Sequence, residues 1–429
     1  MKSFFKDRFS FYATGLAHAD LTTQLTAFSS QLLSITKREE VPTSWLGAFD
    51  LLIKKLRKSK KKKKVIFLDE LPWMDSRNSG FLSALEHFWN SWASSRPDIL
   101  LIVCGSAASW MINKLIKAKG GLHNRVTKRI KVDPFTLSET KVFLKSRKHR
   151  LDDYQIVQLY MVLGGIPFYL EQLKTDLSAS QNIDELCFSD QGLLREEYHI
   201  LFQSLFDNAD KHISIVEALA TKKKGLSRTE LTRLTKLPNA GSFTRLLTEL
   251  EQSNFIRKYI KYGNTKREAI YQLVDHYTLF YNSFLKNHTT FRQNYWISLI
   301  NTPKYYAWAG YAYEMIALQH LPEIYKALGI SGIQTDVSSW SNRKAQIDLV
   351  IDRKDQIINL VEAKFSIQEY EITKKYSRNI TDKMEQFISN TKTKKAIWFI
   401  LLTTYGLKTN LHSGHVQKTL TMKDLFSSR

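Results

Sequence analysis

Apolar residues in this chain fall into two patterns, short unbroken runs and longer stretches at helical spacing. Phe9–Thr14, Val65–Leu68 and Ile99–Cys104 are unbroken apolar or aromatic runs of strand length. Between them, Leu21–Ile35 and Phe81–Trp92 place apolar side chains on one helical face. Runs without polar alternation predict strands covered on both sides, hence a parallel sheet with crossover helices over residues 1–145. Residues 146–208 read as a helical lid, broken at Gly164-Gly165-Ile166-Pro167. In 209–280 the order is clearer. A helix over His212–Thr221 precedes one over Ser227–Thr235, opened by a Ser227/Glu230 capping box. The turn Lys236–Ala240 leads to a third helix, Ser242–Gln252. Phe255–Tyr262 and Ala269–Val274 then flank Gly263-Asn264 as a strand pair. Three helices and a hairpin predict a winged helix-turn-helix. Residues 281–429 return to α/β, with a helix over Tyr311–Leu328 and strands at Gln346–Asp352 and Ile357–Lys364. A helix at Thr381–Asn390 and a strand at Ala396–Leu402 complete it.

Composition narrows the class. Only 17 Gly and 8 Pro in 429 residues disfavour a turn-rich β-sandwich, and 43% hydrophobic residues exclude wholesale disorder. Cys104 and Cys187 are too few for a disulfide framework or a Cys-rich zinc site, which favours a reduced, cytoplasmic setting. No apolar run approaches the roughly 18 residues of a membrane span, so no membrane partner is expected. The opening MKSFFKDRFSF is no signal peptide. The net charge of +22 makes nucleic acid the expected partner, while self-association as a homo-oligomer stays open. Nine basic residues crowd Lys54–Lys64. They read either as a phosphate-binding patch or, preferentially, as a solvated loop entering the next strand. The histidines show no metal-ligand spacing.

Three places carry candidate chemistry. At the carboxyl end of the run Val65–Leu68, Asp69 would hold Mg²⁺ and Glu70 would polarise an attacking water. The run Ile99–Cys104 leads into Gly105-Ser106, whose hydroxyl could meet a γ-phosphate. The competing reading is that both acids merely cap the following helix. In the third helix of the winged segment, Ser242, Thr244, Arg245 and Thr248 suit a major-groove face. A packing lid is an equal alternative there. Near the C-terminus, Asp348 is followed fourteen residues later by Glu362-Ala363-Lys364. Glu362 and Lys364 leave the same face of a strand. Pairing with Asp348 would give two carboxylates for Mg²⁺ or Mn²⁺ and an amine for the scissile phosphate. The alternative is a same-face ion pair.

The segments VIFLDELPWMDSRNSGFLSALEHFWN, LLIVCGSAASWMINKL, GGLHNRVTKRIKVDPFTLSE and LGGIPFYL resemble AAA+/STAND-type archaeal-type ATPases. The resemblance covers essentially the whole chain, since that family often appends a winged helix and a nuclease-like domain. It implies ATP as ligand, Walker B roles for Asp69 and Glu70, and a sensor role for Ser106. By the same resemblance Arg125 faces the phosphates and Pro167 lies near the adenine. The Asp348, Glu362 and Lys364 pattern is similar to the PD-(D/E)xK nuclease motif, with Glu314 as an added acid and Gln386 as a helix glutamine. One element departs from the family. No G-x-x-x-x-G-K-[ST] loop occurs in the 429 residues. That loop supplies the phosphate cradle, and the resemblance places it upstream of Lys6–Gly15. ATP is therefore expected to bind weakly at best. The expected fold is a multidomain α/β protein: a truncated P-loop NTPase-like parallel core, a helical lid, a winged helix and a restriction-endonuclease-like domain. The expected function is a nucleic-acid-associated ATPase-family protein with a metal-dependent nuclease-like domain. The alternative is a non-catalytic DNA-binding or toxin–defence regulatory module.

Overall fold

The computed structural model describes residues 2–6, 8–33, 41–107, 110–116, 121–122, 124–206, 208–265, 268–288 and 294–427. It divides into two compact units, Met1–Lys131 and Val132–Arg429. Segments 146–208, 209–280 and 281–429 all belong to the second.

In the first unit, β1 (Phe11–Thr14), α1 (Leu21–Leu33), α2 (Trp45–Lys58), β2 (Lys64–Asp69), α3 (Phe81–Phe88) and β3 (Ile99–Val103) follow in order. The strands form a parallel sheet with β2 in the middle. Parallel neighbours need crossovers, which the helices provide. The helix end expected at Ile35 lies outside the described residues. An aromatic core fills the unit. Trp45 and Phe81 meet edge-on at 4.8 Å, and Phe49 stacks on Phe88 at 5.1 Å. Ser44 caps α2 by accepting from Gly47 N at 3.3 Å. The basic run turns out to be three things. Lys55, Arg57 and Lys58 occupy the last turn of α2, where cations suit the helix dipole. Lys61 and Lys63 donate to the carbonyls of Phe9 (3.0 Å) and Pro97 (2.8 Å), tying the exposed turn to neighbouring segments. Lys64 starts β2, buried and paired with Asp98 at 2.6 Å.

The second unit opens with α4 (Leu137–Ser146), α5 (Asp153–Leu163), α6 (Ala179–Phe188), α7 (Leu193–Leu205) and α8 (Ala209–Ala220). Capping boxes at Thr136/Glu139 and Ser178/Gln181 start α4 and α6. The expected break is present. Gly164 and Gly165 have φ of +64° and +73°, and a Cβ on Gly165 would lie 2.2 Å from the Phe135 carbonyl oxygen. Pro167 then occupies the first turn of a short helix, Pro167–Leu170.

Next come β4 (Leu226–Ser227), α9 (Arg228–Thr235), α10 (Gly241–Gln252), β5 (Ile256–Tyr259) and β6 (Ile270–Leu273). The strands form an antiparallel sheet in the order β4-β6-β5. The long helix expected over Tyr311–Leu328 is two, α11 (Pro303–Gln319) and α12 (Leu321–Leu328). They part at His320, just before Pro322, which cannot donate into a continuing helix. The buried His320 ring accepts from Leu137 N at 2.9 Å and donates to Ile316 O at 2.8 Å.

The chain closes with β7 (Thr335–Ser341), β8 (Gln346–Arg353), β9 (Ile357–Lys364), α13 (Lys374–Thr391), β10 (Ala396–Thr403) and β11 (Lys418–Thr421). These strands make a mixed sheet in the order β11-β10-β9-β8-β7. Its inner side sends Leu349, Ile351, Val361 and Ile400 into the core that begins at Leu137. Its outer side packs Val350, Leu360 and Phe399 with Ile380 and Phe387 of α13. Burial on both faces is why these strands read as unbroken apolar runs. A bridge between Lys261 and Ser339, with Tyr262 N donating to Ser339 O at 2.7 Å, joins the small sheet to β7. Among the described residues, no helix is long and apolar enough to cross a membrane.

Candidate functional site

Two clusters, one in each unit, gather Asp69, Glu70 and Ser106 and, separately, Glu314, Asp348, Glu362 and Lys364. In the first, Asp69 ends β2 and Glu70 follows with φ +47°, a left-handed conformation costly for a residue with a Cβ. The strained turn aims the acids at neighbouring strand ends. Tyr12 of β1 donates to Asp69 Oδ2 at 3.0 Å, and the Cys104 thiol donates to Oδ1. Glu70 Oε2 accepts from Ser106 twice, from N at 3.1 Å and from Oγ at 2.9 Å. Asp69, Glu70 and Ser106 are thus brought together. Burial, reinforced by the Asp69 hydrogen bond and charge, pushes the Cys104 thiol up to about 12. Gly15 passes so close to this turn that a Cβ would lie 2.4 Å from Glu70 O. Arg125 is exposed, with no hydrogen bond to Asp69 or Glu70 among the described residues. Pro167 belongs to the second unit and is exposed.

In the second unit, β8 and β9 are antiparallel with Leu349 opposite Val361. Asp348 directly precedes and Glu362 directly follows that pair in sequence, and the Glu362 charge acts on Asp348. Glu314 approaches from α11. Burial and the Asp348 charge push the Glu314 carboxyl up to about 8. Burial and the Glu362 charge raise Asp348 as well, while Gln346 Nε2 donates to its Oδ1. Glu362 is fully buried yet held below its ordinary value, because Lys364 and Lys383 more than offset its desolvation. Lys383 of α13 pairs with its Oε1, Tyr376 donates to Oε2 at 2.6 Å, and Lys364 Nζ lies 3.4 Å from Oε2.

These contacts set what the cluster could bind. Among the described residues, no group of three or more His, Cys, Asp or Glu side chains is arranged to hold a metal ion. Glu362 is engaged by cations instead. Asp348 and Glu314 form no salt bridge among the described residues, and the Asp348 charge acts on Glu314.

Sequence reasoning missed several neighbours. Lys383 and Tyr376 lie on α13, where Gln386 had been expected to act; Gln386 instead accepts from Asn342 at 3.0 Å. A cavity of about 360 Å³ opens beside Asp348 and Glu314. Its lining also carries Lys223 and Lys224 from the turn before β4, Arg257 from β5 and Lys383 from α13. Arg257 lies over the Tyr259 ring at 4.6 Å and donates Nε to Gln272 Oε1 at 2.7 Å. Burial pulls its guanidinium below the usual range. No local pattern marks these residues, because only tertiary folding sets them against Asp348.

On α10, Thr244 and Arg245 are exposed as expected. Arg228 Nη1 donates to Thr244 Oγ1 at 2.9 Å, and Arg245 Nε donates to Glu249 Oε1 at 2.8 Å.

Residues 9–173 match the family model described as an ATPase domain predominantly from Archaea. That stretch is similar to ATPase domains. It contains Asp69, Glu70, Ser106, Arg125 and Pro167. An uncharacterized protein of Methanocaldococcus jannaschii is 24% identical over 323 residues, covering 74% of this chain and 71% of its own. Among solved structures, a Walker-type ATPase of Pyrococcus abyssi is similar at 15% identity and a TM-score of 0.44, covering 66% of this chain and 86% of that one. The ORC2 protein of Aeropyrum pernix is similar at 12% identity and a TM-score of 0.36, covering 63% and 76%.

Proposed function

We propose that the second unit is a metal-dependent phosphodiesterase of the PD-(D/E)xK kind acting on nucleic acid, and that the ATPase-family stretch makes it nucleotide-responsive. The observation that carries this reading is the mutual electrostatic influence of Glu314, Asp348, Glu362 and Lys364 on α11, β8 and β9. A cation on Asp348 and Glu314 would stabilise charge on a phosphoryl oxygen and lower the pKa of a bound water. Lys364, steered by Glu362, offers an ammonium to the same phosphoryl group. Helices α8 to α10 with the β4-β6-β5 sheet make a winged helix that presents Thr244 and Arg245 to DNA. Asp69, Glu70 and Ser106 form the nucleotide-sensing cluster. Without a G-x-x-x-x-G-K-[ST] loop in this sequence, that cluster senses ATP weakly and does not turn it over efficiently.

One observation favours a second reading. The pairing of Lys383 and Tyr376 with Glu362 neutralises a carboxylate that a nuclease would use, which suits a non-catalytic DNA-binding module. A panel of DNA and RNA substrates with Mn²⁺ decides between them. Cleavage should appear, vanish in Asp348→Asn, and fall less in Glu314→Ala. ATP hydrolysis in the same preparation should not exceed that of Asp69→Asn. DNA binding without cleavage, equal in the wild type and Asp348→Asn, sinks the catalytic reading.

A further inference from the structure

The cavity beside Asp348 is lined by side chains of both charges. Arg257, Lys223, Lys224 and Lys383 line it together with Glu314 and Asp348. Among the described residues, no ion pair joins these cations to those carboxylates. Arg257 shows the consequence most clearly. Its Nε is fixed on Gln272 and its plane on Tyr259, but Nη1 and Nη2 make no hydrogen bond among the described residues. That two-pronged edge is left for a partner inside the cavity. Lys223 is held by α11, its Nζ donating to Ala307 O and lying 5.4 Å from the centre of the Tyr311 ring. The bridge between Lys261 and Ser339, and Tyr262 N on Ser339 O at 2.7 Å, clamp β5 to β7 beside the cavity.

One kind of ligand satisfies both sets of charges. A phosphoryl group accepts two parallel hydrogen bonds from a guanidinium fork, and lysines add charge. A divalent cation on that phosphoryl group complements the carboxylates. We infer that this cavity binds a single nucleotide unit, its phosphoryl group on Arg257 and Lys223 and its cation facing Asp348 and Glu314. The volume, about 360 Å³, is at the small end for ligand pockets and excludes a duplex. The occupant is either a free nucleotide or the phosphorylated end of a single strand. The cation side rests on the proposed function, whereas the phosphoryl side does not. Arg257 is a binding residue contributed by the small sheet, so that sheet helps choose the substrate.

Fluorescence anisotropy on the full chain tests this, using a short single-stranded oligonucleotide with and without a terminal phosphate. The phosphate should tighten binding about tenfold, in the range of one charge-assisted bidentate contact. Arg257→Gln should erase the difference between the two strands. Lys223→Gln should reduce the difference, and it carries the test if the Arg257 variant does not fold. Adenosine monophosphate with Mn²⁺ separates the sources. Displacement of the strand points to a free nucleotide, and failure to displace points to a strand end. Equal affinity for both strands in the wild type, or equal loss for both in Arg257→Gln, overturns the inference. The measurement repeated in chelator on Asp348→Asn separates it from the proposed function. A phosphate preference that survives there without any cleavage by the wild type removes the phosphodiesterase reading and keeps this site. Asp348-dependent cleavage with no phosphate preference does the reverse.

Discussion

Cys104 is held where its chemistry is suppressed. Its thiol donates to Asp69 Oδ1, and burial with that carboxylate pushes it up to about 12. An ordinary cysteine, with a pKa of about 8.5, is roughly a quarter thiolate at pH 8, against about one part in ten thousand here. Alkylation of the native protein by iodoacetamide at pH 8 should therefore be at least about a hundredfold slower than that of a small-molecule thiol. Asp69→Asn removes the opposing charge and should speed it. Cys187 is fully buried and should stay silent in the folded state. A wild-type rate matching the free thiol, unchanged by Asp69→Asn, would show that the thiol is not seated on the carboxylate. Asp69 itself was legible because a buried apolar run ends on it. Tyr12 and Cys104 were not, because β1 and β3 bring them alongside Asp69 from distant sequence positions.

At the scale of elements, α9 is only eight residues long, and short helices depend on their ends. Ser227 Oγ accepts from Glu230 N at 3.2 Å, while Glu230 Oε2 accepts from Ser227 N at 2.8 Å. Ser227→Ala should cost about 1 kcal/mol, read as a lower denaturation midpoint with an unchanged denaturant slope. The Lys222 hydrogen bond, followed by that of the Ser227 backbone, holds the Glu230 carboxyl at about 2. A depressed carboxyl stabilises the fold fully above its unfolded value and loses that contribution as pH falls through its folded one. The stability difference between wild type and Glu230→Gln should accordingly be full above about pH 4.5 and shrink towards pH 2. A difference that stays constant across that window would exclude the cap as its source. This capping box could be read directly from the sequence because its residues are local. The break at His320 is set by a buried ring that receives Leu137 N, a partner no periodicity reveals. Pro322 was the visible signal for it. The strands β8 and β9 were legible as apolar runs because both of their faces are covered.

For the molecule as a whole, the net charge of +22 argues for association with polyanions. If the α10 face meets DNA, log affinity should fall linearly with log salt, and Arg245→Ala should flatten the slope by about one phosphate contact. An identical slope for the variant would move the contact off α10. Charge could be counted in the sequence, but its placement could not. Arg257 and Lys223 gain meaning only because two sheets meet beside them. The same meeting has a bearing on how such a chain can change over generations. Tyr311 of α11 accepts from Gln272 at 3.1 Å and donates to Leu273 O at 3.2 Å, and Gln319 bonds the His276 ring at 2.9 Å. A recombination event at residue 281 would part each of these pairs and strip both halves of a shared apolar face. Residues 209–427 should therefore be inherited as a block, with exchange of parts tolerated in exposed turns and not at that seam.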